Sequence, residues 1–595
     1  MPEEMIAPRP RWLVPAMLAG TLLALAFVGW AFADRAAGPQ IREPLTWDEA
    51  LNLENYTWLA FTNDGSPRRI ARADDLLRQP KPSGTQLGAG LYRAVGVWRE
   101  PNDHVPHSVM LNAAMLLAPA DERVARLPAL LGALVFTLAV GWFARQSGSR
   151  LAWPVALVLA AAWPYVHTYA LQARGYSWML AFQVLHLLAL RQVARKPASV
   201  GWGAVSALVG ILTFLNIVSL ALDWLLPLYA VLWLFPPPDS DVNRIAYRRN
   251  LLVQFGVITL AGLIFLADHL PYVVVSMREF GVRAPLAELP ARLREIGEYL
   301  FPTLGWQIVA GVGVFGWLLM LSDRETRAVG LIAVAVVAVS LLHFAGTHKV
   351  PYPRTCGYVL PLLVLGAAFA VEQLLGAVTD FAAAVARLVL VLGVAGFAFL
   401  QLAGPREQTS DLVQYRHDLR SANVPGRPYA LIDRDTYIRI RHLPAEYHTA
   451  TDDPAALADV DALVLMGPPT LVKGTPAEAW PVYPAGDREI SYKPAKAGPL
   501  REDSAPQAYP AVVLWIPNAD QLGLRSDSLT TALGDQSGHM RKHYRQVFNK
   551  LEFSNQVYAA EFLATNPADF ADIRAAVIKG QATLGGTAIL IEPSR

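Results

Sequence analysis

Charged side chains and cysteine are both scarce in this sequence. Only 17% of the 595 residues are charged, against about 25% in a soluble globular protein. The single cysteine, Cys356, excludes an intramolecular disulfide and a cysteine-cluster zinc site, while a zinc site of histidines and carboxylates stays open. The formal net charge is only +2 and there is no basic stripe, so nucleic acid is not an expected partner.

Apolar residues, 53% of the chain, are concentrated before Pro405. They form blocks of about 15–21 residues, close to the length that crosses a hydrocarbon core of about 30 Å. The first block, 13–33, is too long for a signal-peptide core, so we predict an uncleaved first helix. Further spans are predicted at 127–143, 151–166, 176–190, 200–215, 219–235, 251–270, 304–321, 329–344, 358–375 and 383–400, which makes about eleven.

Basic residues in the short loops predict the orientation. With the N-terminus in the cytoplasm, the predicted cytoplasmic segments contain most of these arginines, including Arg9, Arg11, Arg145, Arg150, Arg191, Arg195, Arg244, Arg248, Arg324 and Arg327. The positive-inside rule therefore supports this arrangement. An odd number of spans then places residues 34–126 and everything after Pro405 outside the plasma (inner) membrane, on the periplasmic side.

Two regions outside the spans have structure of their own. The external loop 34–126 contains amphipathic stripes that predict helices lying on the membrane surface. The tail alternates strand-like runs (429–433, 461–466, 511–516 and 587–591) with helix-like runs (453–458 and 537–549). We therefore predict an all-α polytopic membrane domain at 1–404 and an external α/β domain at 405–595.

Two acids follow the first predicted span. In the segment Thr46-Trp47-Asp48-Glu49, a carboxylate can serve as the base that deprotonates an acceptor hydroxyl. The same segment fits a helix capping box, in which Glu49 is the capping acid. Acids at a helix N-terminus also complement the helix dipole, so a structural role competes with catalysis.

Three further clusters fall on the same predicted face as these acids. Segment 101–107 contains Asn102, Asp103, His104 and His107, which suit a metal, a phosphate or a helix cap. The loop 167–176 contains His167, Arg174 and Tyr176, and the segment 347–354 contains Lys349 and Arg354. Arginine and lysine here can bind a lipid phosphate or anchor the chain to headgroups. Asp223, Asp268 and His269 near span ends favour an outward-opening polar cavity.

These motifs together resemble the GT-C superfamily of membrane glycosyltransferases. Within it they resemble the branch of protein O-mannosyltransferases and lipid A aminoarabinose transferases. The similar segments, in the family's order over about the first 375 residues, are Thr46 to Ala50, Pro101 to His107, Arg126 to Gly132, Ala173 to Tyr176, and Pro353-Arg354 with Tyr358 and Pro361. The second of these departs from the family's Asn-His-Pro-Pro-Leu by the inserted Asp103 and a missing proline.

The resemblance implies an inverting transfer of a sugar from a polyprenyl-phosphate donor to an acceptor hydroxyl or phosphate. It implies catalysis at the acid pair, with Asp48 as the base, binding of the lipid phosphate by Arg174, Lys349 and Arg354, and a site lined by Asn102, Asp103, His104, His107, Tyr176 and Tyr358. Where many members have a second acid, this chain has Gln172, so a divalent metal would lose one hard ligand. Its candidate ligands are Asp48, His104 and His167.

Two other classes of function compete with the enzyme. A transporter of lipid-linked glycan predicts paired halves and broken mid-membrane helices, and the sequence contains no internal repeat. A non-catalytic membrane scaffold or sensor would fit the altered motif at 101–107 and Gln172. An enzyme requires its site residues to converge on one cavity, and a scaffold does not.

Overall fold

The computed structural model describes most of residues 13–403, with gaps at 43–44, 47–48, 50–51, 54–55, 61–62, 64–80, 97–103, 120, 148–151, 280–281, 284 and 377–379. After residue 403 it describes nine strands and residues 572–573 and 575–576. The chain divides into a membrane unit (1–43, 55–66 and 81–408) and a strand unit (44–54, 67–80 and 409–595). The predicted boundary at residues 404 and 405 stays a prediction.

Helices form the membrane unit. They are α1 (Leu13–Ala37), α2 (Gly84–Gly96), α3 (Val105–Ala114), α4 (Glu122–Gln146), α5 (Trp153–Ala162), α6 (Pro164–Ala170), α7 (Tyr176–Arg195) and α8 (Val200–Asn216). After a π-turn at Ala221–Leu225 follow α9 (Leu226–Leu234), α10 (Arg244–Glu279), α11 (Leu289–Leu300), α12 (Leu304–Ser322), α13 (Arg327–Thr347), α14 (Leu360–Gly376) and α15 (Asp380–Ala403). Two short strands, β1 (Val282–Arg283) and β2 (Lys349–Val350), pair antiparallel.

Length and hydropathy identify membrane-crossing helices. Among the described residues, 6 helices are long and apolar enough to cross a membrane, and four shorter apolar helices accompany them. On α10, Leu252, Leu260, Leu263 and Ile264 are exposed, an arrangement that suits contact with lipid. The fold is that of a polytopic α-helical membrane protein, and the number of eleven spans stays a prediction.

Small residues bring the helices of the membrane unit together. A Cβ placed on Gly316 would lie 1.8 Å from the carbonyl oxygen of Gly366, so α12 and α14 pack backbone against backbone. The indole of Trp178 donates a hydrogen bond to the carbonyl of Pro128 (2.8 Å) and joins α7 to α4. The hydrogen bond of Trp178 holds the N-terminal end of α7, on which the candidate site is built.

Capping interactions begin the helices near the membrane surface. The carboxylate of Asp121 accepts hydrogen bonds from the first turn of α4. Ser83 and Gln86 form a reciprocal capping box at α2 (2.9 and 3.2 Å). Helices α2 and α3 occupy two of the stretches predicted as interfacial helices.

The strand unit contains two sheets. One has the order β4-β3-β5-β7-β6, from strands β3 (Tyr429–Ile432), β4 (Tyr447–Thr449), β5 (Ala462–Leu465), β6 (Val482–Ala485) and β7 (Arg488–Tyr492). Only β3 with β4 and β3 with β5 are parallel. The other is antiparallel, with the order β11-β8-β10-β9, from β8 (Tyr509–Ile516), β9 (Met540–Tyr544), β10 (Tyr558–Ala564) and β11 (Thr587–Ile591).

One prediction for the tail was wrong. The run 537–549 was predicted as helix, but Met540–Tyr544 is strand β9, paired with β10 through a bulged register. Pairing with a neighbouring strand outweighs the weak local preference of this polar run. The predicted helix 453–458 lies outside the described residues, and the α/β class of the tail stays a prediction.

Candidate functional site

A buried histidine is the centre of the candidate site. His104 precedes the first residue of α3, and its Nδ1 lies 2.7 Å from the backbone oxygen of Asn216, at the end of α8. Since a carbonyl oxygen only accepts, Nδ1 must carry the hydrogen, and in the neutral ring Nε2 keeps its lone pair. Nε2 is buried and has no hydrogen-bond partner among the described residues. It is therefore a basic atom that a bound group can use.

The electrostatic surroundings keep this imidazole neutral. Burial lowers the pKa of His104 well below its usual value, and the positive charge of Arg174 lowers it further. His107 and Arg354 act in the same direction, while the hydrogen bond with the carbonyl of Asn216 opposes them. Three residues singled out in the sequence, Arg174, His107 and Arg354, therefore act on the same imidazole.

Gly175 fixes the distance between α7 and His104. A Cβ at this position would lie 2.3 Å from Cβ and 2.5 Å from Cγ of His104. The carbonyl of Gly175 accepts a hydrogen bond from Nδ2 of Asn216 (3.0 Å). Glycine is needed here for space alone, since its φ of −77° is open to any residue.

Arg174 is a buried cation beside this imidazole. Its guanidinium carbon lies 5.7 Å from the ring centre of Tyr176, and the rings of Tyr176 and His104 meet edge to face at 4.7 Å. Such a cation–π contact fixes the guanidinium while leaving N–H groups directed away from the ring. A fixed cation of this kind is a suitable partner for a phosphate.

Three further tyrosines extend the site from Tyr176. The rings of Tyr165 and Tyr169, and of Tyr169 and Tyr176, lie 4.5 Å apart. The hydroxyls of Tyr169 and Tyr299 hydrogen-bond to each other. Burial, the largest effect, raises the pKa of both, so each stays a neutral hydroxyl at physiological pH. This row of hydroxyls suits the recognition of a sugar or a phosphate.

Arg354 is connected to the tyrosines through its backbone. The hydroxyl of Tyr165 donates to the carbonyl of Arg354 (2.6 Å), and the Tyr165 ring lies where a Cβ on Gly357 would be. The Arg354 guanidinium lies 5.3 Å from the ring centre of Tyr352. Two arginines from segments far apart in the chain therefore flank one group of aromatic rings.

The remaining predicted residues lie elsewhere or have other contacts. Lys349 pairs with Arg283 in the β1–β2 ladder, and the hydroxyl of Tyr358 donates to Ser340 (2.7 Å). Nδ1 of His167 accepts a hydrogen bond from Nε of Arg35 (3.0 Å). Asp48, Asn102 and Asp103 lie outside the described residues, as do the side chains of Asp268 and His269.

Glu49 forms the predicted capping box. The backbone N–H of Thr46 donates to the Glu49 carboxylate (2.8 Å), and the N–H of Glu49 faces the Thr46 hydroxyl (3.4 Å). This reciprocal pair satisfies two donors at the start of a helix. Glu49 therefore has the structural contact that the capping box predicts, and a catalytic role for either acid stays a prediction.

A metal site does not form among the described residues. No group of three or more His, Cys, Asp or Glu side chains there could hold an ion. Of the candidate ligands, His104 offers a lone pair on Nε2, but Arg174 is its electrostatic neighbour and would repel a cation. His167 faces Arg35 in the same way.

Sequence reasoning missed several residues. Tyr299, at the end of α11, has no motif around it, and Asn216 ends an apolar helix. His343 is another, since its Nδ1 lies 2.9 Å from the carboxylate of Asp223, which is part of the π-turn. A single turn of π-helix often lies at a functional site, but no sequence pattern predicted this one.

Comparison with known proteins gives similarity in structure. No protein-family model matches the chain, and no curated protein matches it in sequence. ArnT from Cupriavidus metallidurans is similar in the apo state (TM-score 0.44) and bound to undecaprenyl phosphate (TM-score 0.45), each at 15% identity over 80% of this chain and 99% of ArnT. The oligosaccharyltransferase of Archaeoglobus fulgidus, in complex with Zn and sulfate, is similar with a TM-score of 0.40 at 12% identity, over 76% of this chain and 67% of that one.

These TM-scores are below 0.5, so activity has to be argued from the residues of this chain.

Proposed function

We propose that this protein is a membrane glycosyltransferase that moves a sugar from a polyprenyl-phosphate donor to an acceptor, with inversion, on the external face of the plasma membrane. The observation that carries the proposal is the buried Arg174, fixed on Tyr176 beside a neutral His104. A cation held at a low-dielectric site interacts strongly with developing negative charge. The phosphate of a lipid carrier acquires that charge as it leaves.

The reaction breaks one bond and forms another at the anomeric carbon. The acceptor hydroxyl gives its proton to Asp48 while its oxygen bonds to the anomeric carbon from the face opposite the phosphate. The bond between that carbon and the phosphate oxygen breaks, and polyprenyl phosphate leaves with the electron pair. Arg174 and Arg354 stabilise the leaving phosphate.

The uncharged groups of the site position the sugar. Nε2 of His104 accepts a hydrogen bond from a sugar or acceptor hydroxyl, because its neighbours keep the ring neutral. The hydroxyls of Tyr169 and Tyr299 remain protonated and able to donate. Positioning of this kind contributes a large part of enzymatic rate enhancement.

Adjacent acids provide a matched test of the base. Asp48→Asn and Glu49→Gln make the same chemical change on neighbouring residues, and glutamine still serves in a capping box. In transfer from labelled polyprenyl-phosphate sugars, we expect Asp48→Asn to lower turnover about a hundredfold or more and Glu49→Gln to keep most of it. The opposite ranking would make Glu49 the base, and unchanged turnover in both would reject both acids.

Donor binding tests the phosphate site without knowledge of the acceptor. We expect Arg174→Gln to weaken binding of polyprenyl phosphate and to lower turnover about 10²- to 10³-fold. Arg294→Gln is the matched control, because Arg294 is largely exposed and pairs with Glu298 on α11. Equal binding by both variants would remove Arg174 from the site. Donor binding with no transfer to any acceptor would favour the scaffold.

A further inference from the structure

A cavity lies between helix ends far from this site. Its volume is about 290 Å³, and it is bounded by the C-terminal ends of α4, α7 and α9 and the N-terminal ends of α10 and α13. Its walls combine apolar side chains, with Phe143, Leu190 and Ile332 among them, with polar ones, and its rim includes Arg191, Arg195, Asp239 and Glu325. A concave pocket in which polar groups converge beside apolar side chains is typical of a ligand site.

The cavity lies at the opposite end of α7 from Arg174. Helix α7 has 20 residues, so it is about 30 Å long, roughly the thickness of a hydrocarbon core. Arg174 precedes its first residue, and Arg191 is near its last turn. The cavity therefore opens at the other surface of the membrane unit, on the predicted cytoplasmic side.

Aromatic and basic residues near the cavity mark the level of the membrane surface. Arg145 lies over the rings of Trp142 and Trp153, and Arg248 over Trp233. Such pairs are typical of the boundary between lipid tails and headgroups. Ile245, next to the start of α10, is 85% exposed, which suits contact with lipid. The cavity opens where headgroups meet acyl chains.

The rim carries both signs of charge. Nε of Arg195 donates to the Asp239 carboxylate (3.1 Å), and Nε of Arg191 lies 3.8 Å from the same oxygen. Nη1 of Arg191 donates to the Ser147 hydroxyl (2.7 Å). Glu325 is exposed at the rim. Two cations and two anions give no net attraction for a simple anion.

Two buried polar atoms of the lining lack partners. The hydroxyl of Tyr247, whose side chain is fully buried, has no hydrogen-bond partner among the described residues, and neither does Oε1 of Gln146. Both residues line the cavity. Buried polar groups normally have a hydrogen-bond partner. The Tyr247 hydroxyl and Oε1 of Gln146 can therefore serve as donor and acceptor for a ligand.

We propose that this cavity binds the headgroup of a phospholipid that carries a primary amine, such as a phosphoethanolamine lipid. The phosphate accepts hydrogen bonds from Arg191, Arg195 and the Tyr247 hydroxyl. The ammonium group donates to Glu325 and to Oε1 of Gln146. The glycerol and the first acyl carbons lie on the apolar walls.

Other headgroups fit this charge arrangement less well. A purely anionic headgroup would satisfy the arginines but bring negative charge beside Asp239 and Glu325. A choline headgroup balances the charge but has no N–H to donate. A headgroup with a primary amine balances the charge of the phosphate and can donate a hydrogen bond to Oε1 of Gln146.

Two conservative substitutions test the site, and both leave its arginines in place. Tyr247→Phe removes only the unpartnered hydroxyl, with Tyr92→Phe, an exposed tyrosine of α2, as its control. Glu325→Gln removes the exposed acid, with Glu288→Gln, also exposed, as its control. All four leave the apolar packing in place, and monodispersity in size-exclusion chromatography verifies folding.

The measurement is lipid retention by the purified full chain, by native mass spectrometry, after equilibration with phosphatidylethanolamine, phosphatidylcholine and phosphatidylglycerol. We expect the first to bind about tenfold more tightly than the others, and Tyr247→Phe and Glu325→Gln each to weaken it about five- to tenfold, the loss of a single hydrogen bond. Both controls should bind like the unaltered chain.

Several results would overturn the proposal. Equal retention of the three lipids, or tighter binding of phosphatidylglycerol, would remove the role of the amine. Displacement of the lipid by free phosphoethanolamine at similar affinity would make the ligand a soluble one. Binding unchanged in both variants would place the lipid elsewhere. None of these readouts requires sugar transfer, so they are independent of the proposed activity.

Discussion

Substitution of Gly175 by alanine is the sharpest test of the site geometry. The added Cβ would lie 2.3 Å from Cβ of His104 and 2.9 Å from Oδ1 of Asn216. Carbon atoms in contact normally lie about 3.5–4.0 Å apart, so the imidazole or α7 must move by about 1.2 Å or more. Either movement strains the 2.7 Å hydrogen bond between His104 and the Asn216 carbonyl.

The expected cost follows from this overlap. Overpacking a well-packed interior costs about 1–3 kcal/mol, and loss of the buried hydrogen bond adds about 1 kcal/mol. We therefore expect Gly175→Ala to lower the free energy of unfolding by about 2–4 kcal/mol. A displacement of about 1 Å at a catalytic constellation also lowers turnover about a hundredfold.

Gly88→Ala is the matched control. Gly88 lies within α2, and a Cβ there would meet nothing within 4 Å. Alanine should therefore leave stability unchanged or raise it by about 0.5–1 kcal/mol through helix propensity. Unfolding of the purified proteins in detergent by tryptophan fluorescence, with transfer from a polyprenyl-phosphate sugar as the second readout, compares the two. Equal stability and equal turnover of Gly175→Ala and Gly88→Ala would contradict the close approach of α7 to His104.

Three further predictions follow from single contacts. Because burial and Arg174 lower the pKa of His104, the unfolded chain binds a proton more readily. The stability is therefore complete above pH about 6.5 and falls below it by up to about 1.4 kcal/mol per pH unit. His104→Asn should flatten stability measured between pH 7 and 5, and an unchanged slope would reject this assignment. Asp223→Ala should lower the free energy of unfolding by about 1–3 kcal/mol, because the Asp223 carboxylate is the partner of His343 at 2.9 Å. Asp223→Asn, which keeps an acceptor oxygen, should cost less in the same denaturation assay, and equal losses would contradict the hydrogen bond. Thr46→Ala should destabilise its helix start by about 1 kcal/mol, visible as faster amide exchange at Glu49, whereas Thr46→Ser should not, and equal exchange in both would argue against the capping box.

Local patterns in the sequence determined the parts of this protein that depend on neighbouring residues. The hydropathy of successive helical turns predicted the apolar helices. This works because each span satisfies its own backbone hydrogen bonds in lipid. The spacing of Thr46 and Glu49 predicted the capping box, which involves residues three apart. The motif around Arg174 singled out the cation that the structure buries beside His104.

Tertiary structure alone decided which of these residues meet. His104 and the Asn216 carbonyl are 112 residues apart, Tyr169 and Tyr299 are 130 apart, and Asp223 and His343 are 120 apart. No periodicity links such pairs, because helix packing brings them together, as at Gly175 beside His104 and Asn216. The strand at Met540–Tyr544 also depends on a distant segment, because it forms by pairing with Tyr558–Ala564. Local periodicity thus determined the elements, and packing between distant elements determined the site.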